Sequence, residues 1–235
     1  MIQAVGIVIP ARDEAARIGE CLRALGRALR DLPVGLETAV CVVADRCHDT
    51  TERLVRANSD GMVVTNRGPL SIGEVRDLGI QRVRRALSAH RPSTVLLLNT
   101  DADTTVSPGW IRRHLDRANA GTHATAGVAE LSGSLGPLAR LRYRAVLDGA
   151  RLPDGHGNVY GANLGVRADA YLSVGGFRPL ATGEDHDLWR RLGGAGYRLA
   201  YDDKALVTTS SRLDGRAPNG LAELLRSISG RDTQT

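Results

Sequence analysis

The chain alternates short, wholly apolar runs with segments whose apolar residues recur every three or four positions. Val5-Gly6-Ile7-Val8-Ile9-Pro10 is the first run, a strand buried on both faces whose closing proline forces a turn. Asp13 then stands where it can cap a helix that carries Ala15, Ile18, Leu22, Leu25 and Leu29 on one face and stops before Pro33. Thr38 to Ala44 gives a second strand, ended by the polar stretch Asp45 to Thr51, with Asp49 or Thr50 capping a short helix through Leu54 and Val55. Met62-Val63-Val64-Thr65 is a third strand, and beyond a Gly-Pro loop a helix runs from about Gly73 through Val75, Leu78, Val83 and Leu87. The fourth strand is Val95-Leu96-Leu97-Leu98. Such β-α alternation predicts an α/β fold: a mostly parallel, Rossmann-like sheet with helices on both faces.

The pattern loosens after residue 104. Pro108 suits the first turn of a helix carrying Trp110, Ile111 and Leu115, and Thr122 to Val128 reads as a strand. A glycine- and arginine-rich segment follows, 130 to 160, with one helix over Pro137 to Leu147; its position suggests that it holds a second substrate. Val159 to Val166 is strand-like but broken by glycines, Asp169 to Val174 is a short helix, and a further helix runs from Gly183 through Leu188, Trp189 and Leu192 to Gly193-Gly194. Two strands, Tyr197 to Tyr201 and Ala205 to Thr209, and an amphipathic helix with Leu221, Leu224, Leu225 and Ile228 complete the reading.

The fourth strand runs directly into Asn99-Thr100-Asp101-Ala102-Asp103. In an open α/β sheet ligands bind beyond the carboxyl ends of the strands, so two acids delivered there suit a metal or a phosphate-bearing ligand. A lone D-x-D is weak evidence, and the same residues serve equally well as the start of a polar loop. Two further acidic groups share this kind of placement: Asp45 at the end of the second strand, and Glu184-Asp185-His186-Asp187 at the start of a helix. Carboxylates bind hard divalent cations through oxygen, whereas acids in the first turn of a helix are also stabilised simply by its unpaired amides.

Composition narrows the classes. With 235 residues and 42% apolar content the chain can bury one substantial core, and no run approaches the ~20 apolar residues of a bilayer span. A soluble, cytoplasmic, single-domain protein without a transmembrane segment is expected. Cys21, Cys41 and Cys47 lack the paired spacing of a zinc site, so reduced thiols are expected, with Cys21 and Cys41 in the core. The formal charge is +5, and Lys204 is the only lysine. The densest basic run, Arg82, Arg84, Arg85 and Arg91, reads as a solvated helix face, with an acidic membrane or nucleic acid as rival readings. Aromatics make up 3% and do not interleave with the arginines, which argues against a stacking platform for single strands, and no nucleic-acid partner is expected.

Taken together, Val8-Ile9-Pro10-Ala11-Arg12-Asp13-Glu14, the strand ending in Asp45, Arg76-Asp77-Leu78-Gly79, Asp101-Ala102-Asp103, Gly161-Ala162-Asn163, Gly175-Gly176-Phe177 and Glu184 to Leu192 resemble a GT-A-fold, family 2 glycosyltransferase, in the family's order from about residue 5 to 210. The resemblance implies a nucleotide-binding half, 1–104, and an acceptor-binding half, 105–235, within one domain. It implies a sugar moved with inversion from a nucleoside-diphosphate donor to an acceptor hydroxyl, with Mg²⁺ or Mn²⁺ as cofactor. By the same resemblance Pro10, Ala11 and Asp13 line the nucleotide pocket, Asp45 binds the base, Arg76 lies near base and phosphates, Asp101 serves the nucleotide and Asp103 the metal. Asp185 is the implied base, Glu184 helps to place the acceptor, and Gly161, Ala162 and Asn163 form part of the acceptor and donor-sugar floor.

The sequence departs from the family where many members carry two adjacent acids followed by Gly-Ser: here Asp45 is followed by Arg46-Cys47-His48. UDP-, GDP- and dTDP-linked donors therefore stay open, as do the acceptor and the oligomeric state, a homodimer included. His48 is expected to face solvent, and Thr208 to Arg212 either closes over the diphosphate or is an ordinary polar loop. A nucleotidyltransferase of similar fold is the first rival, but Pro10-Ala11-Arg12-Asp13-Glu14 is not its glycine-rich loop. A non-catalytic binding or scaffold protein is the second, and a dinucleotide oxidoreductase is disfavoured because no G-x-G-x-x-G follows the first strand.

Overall fold

A computed structural model describes residues 1–133, 135–153, 155–213 and 221–230. The apolar runs become β1 (Ala4–Ala11), β2 (Glu37–Asp45), β3 (Met62–Asn66) and β4 (Val95–Asn99), and the periodic segments between them α1 (Ile18–Arg30), α2 (Thr51–Asn58) and α3 (Ile72–Ala86). Beyond them come β5 (Thr104–Val106), α4 (Trp110–Asn119), β6 (Ala124–Ser132), α5 (Pro137–Gly149), β7 (Leu164–Arg167), α6 (Ala168–Ser173), α7 (Glu184–Gly194), β8 (Leu199–Ser210) and α8 (Leu221–Ser229). One sheet holds the strands in the order β3-β2-β1-β4-β7-β6-β8-β5. Its β3-β2-β1-β4 half is parallel, as the alternation predicts; β7 then enters antiparallel between β4 and β6, and β8 runs parallel to β6.

Strand alternation divides the core into two layers. On one face Val5, Ile7 and Ile9 of β1 pack against Ile18, Leu22 and Leu25 of α1 and Trp110, Ile111 and Leu115 of α4. On the other, Ala4 and Val8 meet Val75, Ile80 and Val83 of α3. That second contact is close: a Cβ on Gly79 would stand 2.4 Å from Cγ1 of Val8, so the helix needs glycine there. A third, smaller cluster joins Ala139 and Tyr143 of α5 to Leu225 and Ile228 of α8. Cys21 and Cys41 are buried free thiols, as expected, and Cys47 is partly exposed. No described helix is long and apolar enough to cross a membrane.

Several local expectations give way to tertiary structure. α1 starts at Ile18 behind Arg17, not at an Asp13 cap, because Asp13 takes a left-handed φ of 48° and turns its carboxylate to another loop. Thr104-Thr105-Val106 forms the unforeseen strand β5, which pairs antiparallel with the end of β8. The two expected C-terminal strands are one, β8, interrupted where the register jumps from Gly127↔Asp202 to Val128↔Leu206. Asp202 accounts for the bulge, since its carboxylate accepts the Lys204 N–H at 2.8 Å and pairs with Arg117 at 2.7 Å. Residues 161–163 form a 3-10 turn ahead of β7 instead of continuing a strand. The basic run behaves as a solvated helix face, with Arg82, Arg85 and Arg91 exposed.

Candidate functional site

The carboxyl ends of β1, β2 and β4 open onto one side of the sheet, and a cleft of about 640 Å³ lies against them. Pro10, Ala11 and Glu14 reach it from β1, Asp45 from β2, and the D-x-D pair from the β4–β5 connection. Arg76, Gly161, Ala162, Glu184 and Asp185 line the opposite wall, while Thr209, Ser210 and Arg212 follow from β8, and Leu221 and Leu224 from α8. Two of the residues singled out in the sequence, Asp13 and Asn163, do not line it.

Arg76 organises the centre. α3 begins at a complete capping box, Ser71 with Glu74, which fixes where the helix starts and hence where Arg76 stands one turn later. Its Nε donates to Glu184 Oε1 at 2.9 Å and its Nη2 to Asp101 Oδ1 at 2.8 Å, tying the D-x-D segment to the first turn of α7. Burial opposes the Arg76 charge, but the Asp101 and Glu184 carboxylates outweigh it and hold the pKa above the ordinary value. Burial, with Asp185 beside it, raises Glu184 despite Arg76. Nη1 of Arg76 is buried without a protein partner. A Cβ on Gly161 would lie 2.5 Å from Arg76 Nη2, so only glycine lets the guanidinium through.

Asp185 stands beside this bridge. Its Oδ2 accepts the Gly161 N–H at 2.6 Å and its Oδ1 the His186 N–H at 2.7 Å. Gly183, with φ 72°, turns the chain into α7 immediately before the two acids.

Across the cleft, Arg212 Nη2 lies 3.0 Å from Asp103 Oδ2 and 2.6 Å from Glu14 Oε1. Burial, followed by the repulsion of Asp101, pushes Asp103 up to about 6, with Arg212 acting in the other direction. The Thr208 to Arg212 stretch thus belongs to the site through Thr209, Ser210 and Arg212, whereas Ser211 turns away to Ser132. Glu14 is a site residue to which the sequence reading gave no role of its own; its place next to Asp13 at the end of the first strand was the available signal.

At the far end Asp45 is buried and already engaged. Arg46 grips it with two bonds of 3.2 and 3.1 Å, and Asn66 Nδ2 donates to it at 2.7 Å. His48 faces solvent, as expected, at 79% side-chain exposure. Asp13 staples the two loops together, with Oδ1 accepting the His48 N–H at 2.6 Å and that of Asp49 at 3.3 Å. Asn163 sits wholly behind the cleft: Oδ1 accepts from Trp110 Nε1 at 2.8 Å and His114 Nε2 at 3.0 Å, and Nδ2 donates to the carbonyls of Val128 and Ala205, both at 2.8 Å.

For a cation, the oxygen-only pair Asp101 and Asp103 suits a hard metal, and such a cation would offset the burial and the Asp101 repulsion that raise Asp103. Among the described residues, a group of three metal-capable side chains close enough to share one ion is Asp13, Cys47 and Asp49. None of the three lines the cleft, and the two acids are occupied by backbone N–H groups, Asp13 by those of His48 and Asp49 and Asp49 by those of Thr51 and Ala15.

Comparison with known proteins accords with this geometry. No curated protein matches the sequence. Among solved structures the chain is similar to the mannosyltransferase PcManGT from Pyrobaculum calidifontis, solved in complex with GDP-Man and Mn²⁺, at a TM-score of 0.66 and 16% identity over 98% of this chain and 70% of that one. It is also similar to S. aureus TarS 1-349 in complex with UDP-GlcNAc, at a TM-score of 0.63 and 16% identity, covering 97% of this chain and 65% of that one. At such identities the likeness is one of fold, and that fold is GT-A. The family described as Glycosyltransferase like family 2 matches residues 3–226, nearly the whole length, and the chain belongs to it.

Proposed function

We propose that this protein is an inverting glycosyltransferase that moves a sugar from a nucleoside-diphosphate sugar to an acceptor hydroxyl, with Asp185 as base. The observation that carries the reading is the Arg76 bridge, which ties Asp101, on the donor side, to Glu184, next to Asp185 on the opposite wall, at 2.8 and 2.9 Å. Neighbours in fold were solved with GDP-Man and with UDP-GlcNAc, which supports a nucleotide-sugar donor.

In this reading the nucleotide lies along Pro10, Ala11 and Asp45. Since Asp45 is already gripped by Arg46 and Asn66, the base meets that trio as a unit and not a bare carboxylate. The donor sugar and acceptor rest on Gly161 and Ala162. The unpartnered Nη1 of Arg76 donates to the diphosphate, and Arg212 adds a second cation there. Asp103, with Asp101, would hold Mg²⁺ or Mn²⁺, which when bound neutralises charge building on the departing diphosphate. Asp185 takes the proton of the acceptor hydroxyl as that oxygen bonds the anomeric carbon and the bond from that carbon to the diphosphate oxygen breaks. The two backbone N–H groups on its carboxylate fix its aim. Glu184, bonded to Arg76 and lining the cleft beside Asp185, orients the wall and so helps to place the acceptor. Asp13 acts at a distance by holding the loops, and Asn163 by holding the turn beneath Gly161 and Ala162. Residues 1–104 carry the nucleotide and 105–235 the acceptor, with Gly161, Ala162 and Arg212 of the second half also reaching the donor.

A thermal-shift panel of UDP, GDP and dTDP and their sugars, with and without Mn²⁺ or Mg²⁺, tests the reading. One base is expected to raise Tm, and more so with the cation. A panel without any nucleotide-dependent shift, or release of pyrophosphate from a nucleoside triphosphate and a sugar phosphate, would overturn it.

A further inference from the structure

The described residues leave eight large apolar side chains strongly exposed, and four of them, Leu138, Leu141, Val146 and Leu152, at 45, 65, 43 and 51%, fall on α5 and the turn after it. Leu138, Leu141 and the exposed Ala145 follow i, i+3, i+7 spacing and therefore share one helix face. The opposite face is satisfied: Ala139 and Tyr143 are buried against Leu225 and Ile228 of α8. The outward stripe is thus a second apolar face on a helix that has already spent its first.

Charge says what covers it. Arg144 edges the stripe on one side, with Arg140 one turn before it and further round the helix; among the described residues neither is in an ion pair, and Arg140 bonds the Leu135 carbonyl. Arg151 continues the flank, held only by an exposed Asp148 at 3.9 Å. A leucine stripe on a helix whose arginines, Arg140, Arg142 and Arg144, outnumber its one acid, Asp148, is the arrangement of a helix lying in a bilayer interface, with leucines at the acyl boundary and guanidinium groups on headgroup phosphates. The solvated arginines of α3 lack this feature, because Val75, Ile80 and Val83 of that helix are buried in the core, Leu78 packs against it and Ile72 lines the cleft.

We propose that the outer face of α5, built on Leu138, Leu141, Arg140 and Arg144, seats this protein on an anionic lipid surface. The same face adjoins the substrate side of the molecule. Arg144 and Arg151 border a second cavity of about 530 Å³ whose wall includes Ala129, Asn158 and Tyr160, residues that also line the main cleft. Docking through α5 brings the acceptor end of the cleft to the lipid boundary.

Flotation of the full chain with phosphatidylcholine vesicles, alone or mixed with equal phosphatidylglycerol, tests this. Binding is expected to the mixed vesicles only and to weaken with salt. L138E/L141E should abolish flotation, and R140Q/R144Q should weaken it on the order of 30-fold. Both variants should keep the wild-type melting temperature and the same nucleoside-diphosphate shift, so a failure of the donor reading shows separately. Flotation unchanged in a variant that melts normally, equal binding to neutral vesicles, or no flotation at all overturns the proposal. So does concentration-dependent self-association by light scattering that L138E/L141E removes, because it would assign the face to a second copy.

Discussion

Arg76 Nε and Glu184 Oε1 meet at 2.9 Å across 108 residues of sequence, both side chains almost fully withdrawn from water. Neither group tolerates that burial alone, and the Asp101 carboxylate at 2.8 Å completes the balance. Arg76→Met should leave two acids facing each other and cost about 3–5 kcal/mol in urea unfolding at neutral pH. Glu184 is already raised, and without Arg76 it rises further, so the deficit of the variant should shrink as pH falls and that acid takes up its proton. Arg76→Lys should not rescue, because one ammonium cannot span both acids as the guanidinium fork does.

Donor and acceptor chemistry should separate by mutation. Asp185→Asn is expected to lower kcat by about 10²- to 10⁴-fold while leaving the nucleotide-induced melting shift intact. Asp103→Asn should do the reverse to binding, abolishing the extra shift produced by Mn²⁺. Near-normal turnover by Asp185→Asn would place the base elsewhere.

Asn163 bonds four groups at once, on α4, β6 and β8. Asn163→Ala strands the Trp110 N–H and two carbonyls and should cost about 3 kcal/mol or more. The fraction that remains folded should keep its acceptor KM. A raised KM at unchanged stability would restore Asn163 to the substrate floor.

His114 is fully buried beside it, and burial pushes its pKa down to about 4 against the pull of the Asn163 hydrogen bond. The folded value lies below the unfolded one, so the unfolded chain takes up a proton first and stability falls as pH drops from about 6.5 towards 4. The loss from this group approaches about 3 kcal/mol. His114→Gln removes it, so the stability gap between wild type and variant should narrow across that window in denaturation curves. Parallel curves would show that His114 is not held neutral.

Much of this architecture is written locally. The β1 to β4 runs and the helices between them need only hydrophobic period to be seen, and the order of the acidic segments points to the family. Even α5, in the least regular stretch, announces itself by spacing. The misreadings are of another kind. Asp13 has the chemistry of a helix cap, yet it spends its oxygens on His48 and Asp49, which reach it only because β1 and β2 pair in register. β5 has no signal beyond two threonines and a valine, since a three-residue strand exists only by virtue of the β8 edge it joins.

The D-x-D stretch shows where the division falls. Sequence alone determined that a buried strand ends in two acids at the carboxyl edge of a parallel sheet, because burial and alternation are properties of consecutive residues. Only the tertiary structure decided what each acid faces: Asp101 meets Arg76 from α3, and Asp103 meets Arg212 from beyond β8. Charge pairing acts through space over a few ångströms and leaves no period along the chain, so partners 25 and 109 positions away become visible only when the sheet brings them together.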